Sequence, residues 1–106
     1  MKQIIEIADD YIQQLTIALE NNETFNIQLN YDEQYKVWYI MNLTYKTVVL
    51  SAMRVCVNDN LLRQWKNLLP FGIRIEIVDF SEPYLLDDFL TQRVKFILLN
   101  SSEINY

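Results

Sequence analysis

The stretch Phe25-Asn26-Ile27-Gln28-Leu29-Asn30-Tyr31, a short polar link Asp32-Glu33-Gln34-Tyr35, and then Val37-Trp38-Tyr39-Ile40-Met41-Asn42-Leu43-Thr44-Tyr45 decides the fold. In the first run Phe25, Ile27, Leu29 and Tyr31 share one parity, while Asn26, Gln28 and Asn30 take the other. A period of two is the signature of a strand with one buried face. In the second run Val37, Tyr39, Met41, Leu43 and Tyr45 alternate with Trp38, Ile40, Asn42 and Thr44. Its start is apolar on both faces, as in a strand covered on both sides. The link between the runs is short and polar, so the pair reads as a β-hairpin.

Working outward, Val48–Val57 is apolar and β-branched enough for a third strand. Ile73, Ile75 and Ile77 alternate with Arg74 and Glu76 in another, and Val94, Phe96 and Leu98 mark a last one. The segment Tyr11–Leu19 fits two readings. Leu15, Ile17 and Leu19 alternate as in a strand that turns at Asn21-Asn22 into Phe25–Tyr31. Ile12, Leu15 and Leu19 also fit a helix face capped by Asp9 or Asp10, and the strand is the favoured reading. Leu61, Leu62, Trp65, Leu68 and Leu69 recur at helical spacing. Asp59 or Asn60 can cap that helix, Pro70 ends it, and Gly72 permits a sharp exit. A further helical turn is expected at Pro83–Leu90. Residues 1–106 thus read as a single, mainly β domain. The expectation is a small antiparallel barrel or sandwich of about six or seven strands with one short helix near 60–69.

Composition narrows the function. Of 106 residues, 51% are hydrophobic, enough for a real core. The net charge is −5 and the nine Lys and Arg are scattered singly, so there is no basic stripe to grip phosphates. No apolar run approaches the ~20 residues that span a bilayer, and the N-terminus has no secretion-signal pattern. One glycine rules out a Gly-rich phosphate loop and leaves turn work to the Asn and Asp clusters, which tolerate left-handed backbone. The absence of histidine removes the commonest general base and metal ligand. Cys56, the only thiol, sits in an apolar strand pattern and reads as a small core residue, although Arg54 shares its strand face. The carboxylate pairs Asp9-Asp10, Asp32-Glu33 and Asp87-Asp88 match no calcium loop and read as solvated turns or caps. No catalytic, cofactor-binding or metal-binding residue is nominated.

The aromatics carry more information. Trp38, Phe25 and Phe96 read as core. Trp65, Phe71 and Tyr84, near the helix and its connections, read as core or as subunit contacts, and these three are the candidate contact residues.

The order of features resembles the baseplate plug family of contractile-tailed phages. An opening apolar strand precedes Phe25–Leu29, and a hairpin leads to Trp38-Tyr39-Ile40-Met41-Asn42-Leu43. The pair Leu61-Leu62 follows, then Leu69-Pro70-Phe71-Gly72 before an apolar strand. Asp87-Asp88-Phe89 precedes Arg93-Val94-Lys95-Phe96. Where that family carries a glycine before the Leu-Leu pair, Asn58-Asp59-Asn60 stands here, and an Asn can adopt the same left-handed conformation. The resemblance runs over residues 3–99. It implies a non-enzymatic virion protein, made in the host cytoplasm and built into the baseplate near the tail tube. It further implies contacts with tube, hub and wedge proteins, several copies in a ring, and a part in closing or organising the central channel. An acidic lining suits passing DNA, since like charge discourages sticking. The competing expectation is a small acidic adaptor or inhibitor that binds one protein partner through a sheet edge.

Overall fold

The computed structural model describes residues 2–19, 22–65, 67–79 and 82–104. Asn21 of the expected Asn21-Asn22 turn, Lys66 of the expected helix, and the rings of Phe80 and Tyr106 lie outside these. Seven strands are present: β1 (Lys2–Ile4), β2 (Ile12–Ala18), β3 (Thr24–Asp32), β4 (Val37–Tyr45), β5 (Val48–Arg54), β6 (Gly72–Ile77) and β7 (Val94–Leu99). They form two antiparallel sheets, β2-β3-β4-β5 and β1-β7-β6, stacked as a sandwich; the sheets do not close into a barrel. The chain at 11–19 is a strand, paired to β3 from Ile12↔Asn30 to Ala18↔Thr24.

The inner faces meet in one core. From β3 it takes Phe25, Ile27, Leu29 and Tyr31, the residues that the alternation marks. The single alternation expected of β4 does not hold. Beyond Val37 at its start, its buried side chains are Trp38 and Ile40, then Leu43 and Tyr45, with two residues, Met41 and Asn42, between the middle two. The register against β3 slips there, Leu29 facing Ile40 where an unbroken ladder would bring Met41. Met41 is the extra residue of a β-bulge and points out. β5 makes the matching adjustment at Ala52, whose φ is 59°. Leu50 and Val55 are buried on either side of it.

The helix expected over Leu61–Leu69 is not formed. Among the described residues only a 3-10 turn, Arg63–Trp65, is helical. Two anchors explain this. Asn60 is buried, and its Oδ1 accepts from the N–H of both Leu62 and Ile73 at 3.0 Å. The Leu61 N–H donates to the Ile73 carbonyl at 2.7 Å. The segment is thus sewn to β6 at its start and stopped by Pro70, and so short a helix is marginal without a full apolar face. Leu62 and Leu69 enter the core, whereas Leu68 is 60% exposed. Residues 86–92 are likewise successive turns and not a helix, ending on Gln92 at φ 63°.

Turn chemistry also departs from expectation. Among the described residues the left-handed ones are Asn22, Lys36, Lys46, Ala52 and Gln92, of which one is an Asn or Asp. Asn58-Asp59-Asn60 contributes no left-handed residue and works through side chains, Asn58 Oδ1 accepting from Asn60 N–H at 3.0 Å. Gly72 lies within β6 without positive φ and is required for closeness: a Cβ there would stand 2.6 Å from Asn60 Oδ1.

Two stability predictions follow from this packing. Leu62→Ala removes a side chain with no exposure and is expected to cost about 2–5 kcal/mol in urea unfolding. Gly72→Ala pushes a methyl onto Asn60 and is expected to cost about 1–3 kcal/mol. A neutral effect of the second would show that Asn60 can leave its bonds to Leu62 and Ile73 freely.

Candidate assembly surface

The connection from β6 to β7 closes one end of the sandwich, and a buried charge organises it. Asp88 has no exposed surface. Its Oδ1 accepts from Arg93 Nε at 2.7 Å and its Oδ2 from Arg93 Nη2 at 2.7 Å, a two-pronged pair. Oδ2 also accepts from the backbone N–H of Tyr84 at 2.7 Å and of Leu85 at 2.8 Å. Burial alone would raise the Asp88 carboxyl, but the Arg93 guanidinium and the two backbone donors outweigh it and hold the carboxyl below its ordinary range. Arg93 is raised above its ordinary value, chiefly by its bond to Asp88. Arg93 also reaches Asp79 Oδ1 at 2.6 Å and the Glu82 carbonyl at 3.0 Å.

Core aromatics hold the other side of this loop. Trp38 Nε1 donates to the Leu85 carbonyl at 2.9 Å, and the Tyr31 hydroxyl donates to the Tyr84 carbonyl at 2.6 Å. Both rings therefore bury their apolar bodies and satisfy their polar atoms on the loop backbone. Phe89 enters from the loop edge-on to Trp38, with centroids 5.2 Å apart. The Asp87-Asp88-Phe89 and Arg93-Val94 motifs thus have a shared cause: one buried ion pair and one core ring on a single loop. The sequence reading, which left Asp88 as a solvated turn or cap, missed this. Its available signal was an Arg five residues away, with an aromatic residue beside the acid.

Of the three candidate contact residues, Phe71 lies in the core. It is 1% exposed, stacks on Phe25 at 4.2 Å and meets Tyr45 edge-on. Tyr84 is 41% exposed, with its ring under the Arg93 guanidinium. Trp65 is half-buried and lines an open groove of about 580 Å³ with Arg54, Asn58, Leu61, Arg63 and Gln64. The three are not brought together. At the loop from β6 to β7 the Tyr84 carbonyl meets the buried Tyr31, whose ring lies 6.1 Å from that of Tyr11. Tyr11 is 48% exposed, and its phenol is raised, chiefly by the charge of Glu33.

Cys56 is half-buried, just past the end of β5. Burial, then the charge of Glu82, pushes its thiol up, and Arg54 offsets them only in part. Thiolate is therefore disfavoured. Among the described residues no three His, Cys, Asp or Glu side chains gather into a metal-ligand set.

Asp88→Ala would strip the mostly buried Arg93 guanidinium of its two-pronged partner, leaving it Asp79 and the Glu82 carbonyl, and would strand two backbone donors, and is expected to cost about 3–5 kcal/mol. The pH dependence has a definite sign. A carboxyl held below its unfolded-chain value of about 3.9 contributes its full stability above that pH and loses it as pH falls through the depressed folded value. The parent chain is therefore expected to lose stability on acidification below about pH 4, and Asp88→Asn to show a flatter acid limb. Parallel acid limbs in urea titrations of the two would refute the assignment.

No curated protein sequence matches the chain. A family model described as the cyanophage baseplate Pam3 plug gp18 matches residues 1–101, from the opening strand past the end of β7. That span includes the hairpin, the Leu-Leu pair and the Asp88–Arg93 loop, and on that coverage the chain belongs to this family of phage baseplate plug proteins.

Proposed function

We propose that the chain is a non-enzymatic structural part of a contractile tail baseplate, seated near the tube and hub, where it closes or organises the central channel. The observation that carries this reading is the family match over residues 1–101. The fold supports it. Two of its polar clusters, Asp88–Arg93 and Asn60, are engaged in holding loops. The exposed rings of Tyr84 and Tyr11 and the half-buried Trp65 offer contact area to tube, hub or wedge proteins, with several copies arranged in a ring. The net charge of −5 discourages DNA from adhering to a channel wall.

Mass spectrometry of purified particles, followed by particle reconstruction, tests the proposal. The expected result is the chain present in the tail, in multiple copies around the axis. A free protein recovered only from infected lysate and bound to one partner would favour the adaptor reading. A single axial copy would overturn the ring.

A further inference from the structure

Sheet edges display unpaired backbone donors and acceptors, and proteins blunt them with short strands, charges, bulges or covering chain. Three of the four edges here are treated in this way. β1 is three residues long and begins at Lys2. β6 is covered: Asn58 and Ile75 exchange backbone bonds, and Leu61 N–H donates to Ile73. β5 is broken by left-handed Ala52 and ends on exposed Arg54. The fourth edge, β2, has none of these devices. Its sequence IQQLTIA holds no charge, proline or glycine, and it pairs with β3 in unbroken register.

The direction of its free backbone groups is fixed. Tyr31 N–H donates to the Tyr11 carbonyl at 2.8 Å, and Leu19 N–H donates to the Glu23 carbonyl at 2.7 Å. In an antiparallel pair hydrogen-bonded positions alternate. The odd-numbered residues of β2 therefore turn their backbone toward β3. Ile12, Gln14, Thr16 and Ala18 turn theirs away, and no bond to those groups occurs among the described residues.

We propose that β2 accepts an extended segment of a different protein as a fifth strand of the β2-β3-β4-β5 sheet. The segment is uncharged through its middle and carries Lys or Arg at the end beside Asp9 and Asp10. Its core-side residue is apolar, to cover the half-buried Leu15, and its outer side is hydroxyl or amide, to match Gln14 and Thr16. Charge selects the occupant. Asp9 and Asp10 are exposed just ahead of β2, and Glu33 acts on Tyr11 at the same end. A second copy would bring its own Asp9-Asp10 and a net −5, so like charge opposes self-pairing. The inference stands on the edge itself and does not require the baseplate assignment.

The test is hydrogen exchange of the purified full chain with two blocked peptides, Lys-Thr-Val-Thr-Val-Thr-Val-Lys and the same peptide with Glu at both ends. The Lys-ended peptide is expected to slow exchange at Ile12, Gln14, Thr16 and Ala18 by about tenfold, and the Glu-ended one to leave it unchanged. Thr16→Pro removes an outward N–H, a position where an edge strand tolerates proline, and is expected to abolish the slowing without moving the unfolding midpoint. Should that variant fold poorly, Thr16→Lys serves as the blunted edge. Slowing by neither peptide, equal slowing by both, or slowing that grows with the chain's own concentration would overturn the proposal. A reconstruction with the chain in the baseplate but β2 facing solvent or an identical copy would overturn it too, leaving the baseplate reading intact.

Discussion

The Asp88–Arg93 pair is the constraint on which the end of the sandwich depends. A buried carboxylate is costly unless every lone pair is used, and here Arg93 supplies two donors and the Tyr84 and Leu85 backbone two more. Those bonds fix the loop so that the Leu85 and Tyr84 carbonyls meet the Trp38 indole and the Tyr31 hydroxyl. Each of those rings sits in β3 or β4, so the ion pair in one sheet's connection is coupled to the core positions of the other sheet. Breaking the pair would loosen the loop and leave two buried aromatic donors without partners.

Asn60 performs the equivalent task at the crossover from β5 to β6. Its one side-chain oxygen serves Leu62 and Ile73, and the absence of a Cβ at Gly72 is what lets it lie so close. Both devices use a single buried polar side chain to tie two segments together, Asn60 through the backbone of each and Asp88 through the Tyr84–Leu85 backbone and the Arg93 side chain. This gives a chain with few regular turns and one glycine a defined path between its sheets.

Much of this was legible in the sequence, because strand periodicity records burial directly. The β3 alternation and the order of strands from β2 to β7 survive, whereas β1, only three residues long, shows no period, and β5 ends at Arg54, short of the expected Val57. Periodicity failed where the backbone departs from the ladder. Nothing in Ile40-Met41-Asn42 announces a bulge, since the residue types on either side of Met41 suit both phases. Ala52 and Lys46 adopt left-handed backbone that their side chains do not favour, and a local reading assigns such positions to Asn or Gly. The Leu61–Leu69 spacing is real, yet two of its leucines enter the core through a turn. Tertiary hydrogen bonds from Asn60 and Leu61 to β6 overrode the helical pattern. Of the contact candidates, Tyr84 and Trp65 keep accessible rings. Phe71 is taken up by the stack on Phe25, a pairing across the two layers that no local pattern encodes.

The four edges of the two sheets bear on how such a chain joins an assembly. Association costs the freedom of whatever must be ordered, so a partner gains most from a surface already held rigid. β2 is held along its whole length by β3, by Gln13, whose Oε1 accepts from Ala8 N–H and whose Nε2 donates to the Ala8 carbonyl, and by the Tyr11–Tyr31 contact at its start. Its backbone groups are therefore positioned before any partner arrives. An open edge on an acidic domain is also protected from copies of itself by the charge that attracts a basic-ended partner, so a single electrostatic property serves both solubility and selection. The blunted state of the other three edges then leaves strand addition a single direction in which to proceed.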